Sequence, residues 1–347
     1  MIPFSCPFPI QDYPRVQMAH GGGGRLMHEL IGRMFLETFS GKDAPPPHDA
    51  AVVPVPGGRV AFTTDSYVVR PLFFPGGDVG SLPVHGTVND LAMAGARPLA
   101  LSAAFVIEEG LPMETLWKVT ASMKAAAEAA GVPIVTGDTK VVDKGKGDGL
   151  FLNTAGIGWI DHSLAIGPAS VRPGDILIVS GDLGRHGMAV MAVREGLEFE
   201  CAIESDSAPV CAPVLDMIAG GVNVRCLRDT TRGGMTAALN EIAEGSGTQI
   251  RVRERAVPVR DDVRAACEVL GLDPFQVACE GRFIAFVDPS DEEKSLRILG
   301  RHAVTAGAVA IGRVAGRQAG GQVVLESAIG AARLLDLPAG EQLPRIC

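Results

Sequence analysis

Residues 137–158 read GDTKVVDKGKGDGLFLNTAGIG. The apolar run 132–136 leads directly into GDTKVV, and 149–160 forms a second apolar run rich in β-formers, so both stretches read as strands. Asp138 therefore stands at a strand edge, flanked by Gly137, Thr139 and Lys140. An acidic residue beside small or hydroxyl neighbours at the edge of an apolar segment recurs along the chain. That recurrence organises everything else.

Upstream, 50–55 and 59–69 are β-rich and separated by the turn Pro-Gly-Gly at 56–58. Residues 82–96 (LPVHGTVNDLAMAGA) read as a helix of small residues, 99–107 as a strand, and 113–130 as a long helix stopped by Gly131 and Pro133. Downstream of about Pro168 the alternation starts again. Strands are expected at 174–181, 248–254, 281–289 and 308–316, with a loop and helix at 184–196 and a strand, loop and helix across 223–247. Mixed strands and helices in both halves predict two α/β (α+β) domains. The expected boundaries are an arm over 1–45, one domain over 46–165, a second over 166–327, and a tail over 328–347. Pro338, Gly340 and Pro344 lead us to expect a mobile tail, neither strand nor stable helix. The arm carries HGGGGRLMHELIGRMF at 20–35, glycines before a short amphipathic helix. Its glycines suit either a nucleotide-covering lid or a flexible linker.

Composition narrows the function. Of 347 residues, 47% are hydrophobic and 20% charged, enough for sizeable cores. With 31 basic and 40 acidic side chains the net charge is −9, which argues against nucleic acid or an anionic membrane as partner. The seven cysteines include no Cys-x-x-Cys pair and are odd in number, so reduced thiols in a cytoplasmic protein are expected. No apolar run reaches membrane-spanning length, and the opening MIPFSCPFPIQDYP lacks the basic region of a signal peptide.

Five aspartates stand beside small or hydroxyl residues at the edge of an apolar segment: Asp49 (HDAAVV), Asp65 (FTTDSYVV), Asp90 (VNDLAMAGA), Asp138 and Asp229 (RDTTRGG). Taken singly, each is equally a helix cap or a turn former. Taken together, convergence would set like charges side by side, at roughly 4 kcal/mol per pair 4 Å apart. Cations among them would relieve this, and an oxygen-only ligand set points to magnesium with substrate phosphates. Glycines in TGDT and TRGGM let backbone amides approach phosphate, and Lys140 and Arg232 add fixed positive charge. No Gly-x-x-x-x-Gly-Lys-Ser/Thr occurs, so the expected magnesium–nucleotide site is not a P-loop.

In this order, HDAAVV, TTDSYV, NDLAMAGARP, GDTKVV and RDTTRGG resemble the ATP-binding superfamily of aminoimidazole ribonucleotide synthetase, selenophosphate synthetase and thiamine-monophosphate kinase. HGGGGRLMHELI, DTTRGGMTAALNEIA, ACEGRF and the terminal PRIC make the chain most similar to the HypE carbamoyl dehydratase family, from about His20 to Cys347. The resemblance implies a PurM-like fold whose N-terminal domain binds ATP and pairs in a homodimer through a β-barrel-like interface. It implies ATP with magnesium between the halves. It also implies a carbamoyl group received on the terminal cysteine from the carbamoyltransferase HypF and dehydrated to thiocyanate. Cyanide would then pass to iron on a HypC–HypD scaffold for [NiFe]-hydrogenase. Carried over, Asp49, Asp65, Asp90, Asp138 and Asp229 match metal and phosphate positions, with Thr64, Asn89, Gly137, Thr139 and Lys140 beside them in the nucleotide site. Cys347, Lys140, Glu280 and Asp90 match catalytic positions. His48 stands where many members have a second acid, and RDTTRGG lacks a proline often found there.

Activation of the carbamoyl oxygen by phosphoryl transfer suits this chemistry, with Glu280 as candidate base and Lys140 neutralising charge. Glu280 is alternatively an ion-pair partner of Arg282, Lys140 a solvated strand-end lysine, and His85 a helix-start residue. Cys347 is the expected carrier, since ten residues from Pro338 reach roughly 33 Å, while cysteines such as Cys279 are expected in the core. Selenophosphate synthetase activity is disfavoured because AHGGGGRLM has no reactive cysteine. Two other readings remain: another ATP-dependent synthetase or kinase of the superfamily, or a non-catalytic docking protein for maturation partners.

Overall fold

Strand β2 (Gly58–Tyr67) alternates in burial: Ala61, Thr63, Asp65 and Tyr67 face inward, while Phe62, Thr64 and Ser66 face out. The computed structural model describes residues 24–36, 48–196, 202–327, 329–337, 343 and 345–347. It places β2 in a five-stranded sheet ordered β1 (Ala51–Val55), β2, β7 (Leu150–Ile160), β5 (Arg97–Glu108) and β6 (Ile134–Val142). All pairings are antiparallel except β5 with β6, and β3 (Phe73–Phe74) with β4 (Gly77–Asp78) forms a separate two-stranded ladder. Helix α1 (Arg25–Glu29) precedes the sheet and runs into a π-helical segment, Leu30–Leu36.

Helix α2 (Ser81–Met93) crosses the inner face of β2, β7 and β5. It is buried nearly all round, at Leu82, Val84, Val88, Leu91, Ala92 and Met93, because it is a middle layer. On its far side lie α3 (Met113–Ala130) and, from the second half, α5 (Cys211–Ala219) and β9 (Val224–Asp229). The stop expected at Gly131 is a left-handed cap, φ 67°, after which the Val132 N–H returns to the Ala127 carbonyl at 3.0 Å.

The second sheet has seven strands, ordered β14 (Ala332–Leu334), β13 (Gln322–Glu326), β10 (Thr248–Arg253), β12 (Val309–Arg317), β8 (Ile176–Val179), β11 (Phe283–Val287) and β9. β11 is buried at every residue, as its unbroken apolar sequence requires. Helix α6 (Gly234–Ser246) packs Leu239 and Ile242 on one side of this sheet with Ile250, Phe286 and Ile311. A second core joins the halves, bringing Leu82, Val88 and Met93 together with Val214, Leu227 and Phe283. Helices α4 (Arg185–Arg194), α7 (Asp261–Leu270) and α8 (Glu292–Leu299) complete the second half.

The five-stranded sheet of one chain is open, with β1 and β6 at its edges, and the expected barrel-like interface is one between two copies. One expectation changes. The segment after 328 does contain a strand: β14 pairs antiparallel with β13, its ladder bonds substituting for a core it is too short to build. Pro338, Gly340, Pro344 and the glycines at 21–23 lie outside the described residues.

Candidate active site

The site grows from the inner face of β2. Tyr67 follows Asp65 by two residues, so both point inward, and the Tyr67 hydroxyl donates to Asp65 Oδ2 at 2.6 Å. Helix α2 crosses here at Gly86, where a Cβ would lie 1.7 Å from the Tyr67 hydroxyl oxygen. Only glycine fits. One turn on, Asp90 presents its carboxylate on the same face, and Thr63 donates to Asp90 Oδ2 at 2.7 Å. Asp49, just before β1, and Asp229, the last residue of β9, complete the group: one oxygen from each of Asp49, Asp90 and Asp229 lies within 4.8 Å of the others. Both halves therefore supply one acidic crevice.

Its electrostatics record the crowding. The Asp90 carboxyl is pushed well above the usual range by loss of solvent, then by Asp229, Asp65 and Glu280. Asp229 is raised by burial as well, against the opposing pull of Arg228. Asp49 ion-pairs with Arg228 through Oδ1, while its Oδ2 is buried with no partner. Arg228 also binds Glu241, which accepts from His28 of α1 at 2.9 Å, so the N-terminal helix is tied to the crevice wall. His48, at the position where many superfamily members carry a second acid, instead bonds the Leu227 carbonyl at 3.0 Å; burial lowers its pKa to about 4. It is a neutral strut, not a ligand.

Glu280 is 2% exposed, and neither of its carboxylate oxygens has a partner. Burial, followed by Asp229, Asp65 and Asp206, holds its pKa well above the usual value. The alternative of an ion pair with Arg282 fails, because Arg282 binds Asp182 at 2.7 Å. Asn89 serves the architecture. It donates to the Ala208 and Glu280 carbonyls at 3.0 and 3.2 Å and accepts from the Val210 N–H at 2.8 Å. Its amide clamps the two halves together, leaving little for a nucleotide. His85 bonds Ser207 Oγ at 2.9 Å across the same boundary.

The remaining expected residues lie elsewhere in the single chain. Register sets Ser66, Asn153, Ala104 and Asp138 in one row across the sheet, all on the outer face. Asp138 is thus three strands from β2, roughly 14 Å at normal spacing. Lys140 shares that face and binds Asp138 at 3.0 Å, both being exposed. Thr64 also faces outward, donating to the Thr154 carbonyl at 3.1 Å. Gly137 and Thr139 border a separate groove of about 1040 Å³ between β6 and α3, which does not include the acidic crevice. The five-aspartate convergence is therefore corrected to four within one chain: Asp49, Asp65, Asp90 and Asp229.

Cys347 reaches the crevice. Its carbonyl accepts from the Val68 N–H at 3.3 Å, directly after β2. The charged form of Arg232 is favoured by Cys347 first, then by Asp65, Tyr67 and Glu280. None of the described cysteines is in a disulfide, and Cys211, Cys226, Cys267 and Cys279 are buried as expected of core residues. Tyr67, Thr63 and Arg228 were not singled out from sequence; the two-residue offset of Tyr67 from Asp65 within one strand was the available signal.

Comparison with known proteins agrees with this layout. Residues 47–160 match the AIR synthase related protein N-terminal domain, and 172–324 its C-terminal domain. The carbamoyl dehydratase HypE of Rhizobium leguminosarum bv. viciae is 49% identical over 334 residues, covering 96% of this chain and 95% of that protein. A crystal structure of the hydrogenase maturation protein HypE in complex with ATP superposes with a TM-score of 0.81 at 45% identity, covering 96% of this chain and all of that one. HypE in a HypE–HypF complex gives 0.83 at 43% identity, covering 91% of this chain and 100% of that chain. The chain belongs to the HypE carbamoyl dehydratase family, built on the two-domain AIR synthase fold.

Proposed function

We propose that this chain uses ATP to dehydrate a carbamoyl group carried on its own Cys347, giving an S-cyanate as the source of hydrogenase cyanide. One observation carries the reading: residues 345–347 are hydrogen-bonded to the backbone at Val68 and Arg70, directly after the strand β2 that carries Asp65 and Tyr67 into the crevice. The overall change is S–C(=O)NH₂ plus ATP to S–C≡N plus ADP and phosphate. The carbamoyl oxygen leaves on phosphorus, and the two N–H protons go to a base and to phosphate.

The donor set fits magnesium. Three hard oxygen ligands converge, one Asp49 oxygen is buried without a partner, and burial followed by repulsion from Asp229 and Asp65 raises Asp90. Asp49, Asp90 and Asp229 would hold it, with Asp65 beside them. When bound it neutralises phosphate charge. Arg232 supplies fixed positive charge to the transferred group. Glu280, desolvated and unpaired, takes a proton from the carbamoyl nitrogen, and its raised pKa makes it the stronger base. Asn89 fixes the Glu280 backbone through its carbonyl.

Asp138, Thr139, Lys140, Gly137 and Thr64 enter this reading through a second copy. Phe62, Leu99, Val106 and Ile157 are exposed on the first sheet, an apolar face that a homodimer would cover. The related HypE–HypF complex supports HypF as the carbamoyl donor, and a HypC–HypD acceptor would follow. Among the described residues no helix is long and apolar enough to cross a membrane.

Phosphate release tests the proposal. The carbamoylated protein is expected to release one phosphate per cyanated Cys347, and Cys347→Ser to release none. Undiminished ATP turnover in Cys347→Ser would favour a kinase or synthetase of the same fold instead.

A further inference from the structure

The last three main-chain oxygens face two different walls. Those of Arg345 and Cys347 turn toward the chain just after β2, accepting from the Arg70 N–H at 3.1 Å and the Val68 N–H at 3.3 Å. That of Ile346 turns the other way and accepts from His186 Nε2 at 2.7 Å. His186 has no solvent exposure, and its ring meets Phe74 edge-on at 5.4 Å. A carbonyl only accepts, so Nε2 carries the proton. Nδ1 then accepts from the Ser205 hydroxyl at 2.8 Å, whose oxygen accepts the Ser207 N–H at 3.0 Å. One tautomer satisfies every group.

A second carboxylate ties this histidine to the crevice. Asp206 accepts the His186 backbone N–H at 3.0 Å through Oδ1 and the Gly281 N–H at 3.3 Å through Oδ2. Gly281 follows Glu280, and a Cβ there would lie 2.0 Å from the Asp206 carbonyl oxygen. Arg345 has a positive φ of 59°, a conformation a non-glycine residue keeps only when its surroundings hold it. Its carbonyl also accepts from Arg194 and its side chain ion-pairs with Asp148.

We propose that His186 is a positioning residue: through the Ile346 carbonyl it seats Cys347 against the chain just after β2, while Asp206 holds histidine and Glu280 in register. Ile346 is buried, so the hydrogen bonds that hold residues 345–347 must break for this segment to leave its seat.

The proposal rests on the dehydratase reading for its purpose, yet the seat is testable without that chemistry. The measurement is the rate of iodoacetamide alkylation of Cys347, read by mass spectrometry of the C-terminal peptide, in His186→Leu and His186→Gln. Leucine removes the donor, whereas glutamine can keep an amide N–H for Ile346. Loss of one buried hydrogen bond should raise the unseated population about tenfold. The expected result is about tenfold faster alkylation in His186→Leu and a rate nearer wild type in His186→Gln, with buried Cys226 unreactive as the sign of an intact core. Equal rates in wild type and His186→Leu, or equal acceleration by both variants, would overturn the proposal. If His186→Leu does not fold, Val68→Pro removes the donor to Cys347 at a strand end and should accelerate alkylation similarly; an unchanged rate there would overturn it too. Faster alkylation in a protein that never dehydrates its carbamoyl group would uphold the seat and reject the dehydratase.

Discussion

Replacing Asp90 by asparagine removes one charge from the crevice while keeping size and an acceptor for Thr63. Its carboxylate has an oxygen within 4.8 Å of one from Asp229 and one from Asp49. At that separation and an effective dielectric near 20, each like-charge pair opposes folding by roughly 3.5 kcal/mol. Part of this is already relieved, because Asp90 is raised toward protonation and Asp49 is neutralised by Arg228. A net gain of about 1–2 kcal/mol for Asp90→Asn is reasonable in EDTA, or about 1–3 °C in Tm for a chain of this length. With magnesium and ATP the order should reverse. Wild type gains about 2.7 kcal/mol at a hundredfold excess over Kd, and the variant gains little. Differential scanning calorimetry in EDTA and in magnesium–ATP reads both effects. A variant less stable than wild type in EDTA, or one with the full ligand-induced rise, would refute the idea that Asp90 is held in repulsion for a cation.

Gly86→Ala should destabilise by about 1–3 kcal/mol through overpacking and weaken magnesium–ATP binding by displacing Tyr67 from Asp65, read by thermal melts and calorimetric titration. Asn89→Ala should cost about 2–4 kcal/mol, since it orphans the Val210 N–H and two carbonyls between the halves; unchanged denaturant midpoints would contradict the clamp. His48 and His85 are each lowered to about 4 from 6.5 by burial. The unfolded chain binds their protons first, so their stabilising contribution is lost as pH falls from 6.5 toward about 4. His48→Gln should flatten that loss in pH-dependent unfolding, although the raised carboxyls of Asp90 and Glu280 act with opposite sign. Ile157→Asp should reduce the mass seen by analytical ultracentrifugation if a second copy covers the sheet, and leave it unchanged if none does.

Much of the crevice was legible because each aspartate stands at the edge of an apolar segment within a recognisable local motif, Asp90 on helix α2 and the others in or beside strands. Asp49, Asp65, Asp90 and Asp229 need only their own segment's geometry to face inward. The placement of Asp138 and Lys140 was not legible, because their face depends on register across four strands. That register shifts between Pro98 and Ala100 and between Leu101 and Ser102, and a one-residue slip reverses every side chain. Helix α7 was missed despite Asp261 and Asp262 in its first turn and a left-handed Gly271 at its end. Strand β14 gives no alternation to read, as all three residues are exposed. The bond from His186 to Ile346 spans 160 residues, and only the folded chain reveals it.

The most direct measurement is the mass of the C-terminal peptide after carbamoylation, followed with and without ATP. Loss of one water at Cys347 only when ATP is present is the predicted result. A carbamoyl adduct that keeps its mass with ATP, or a Cys347 that never accepts the group, would contradict it.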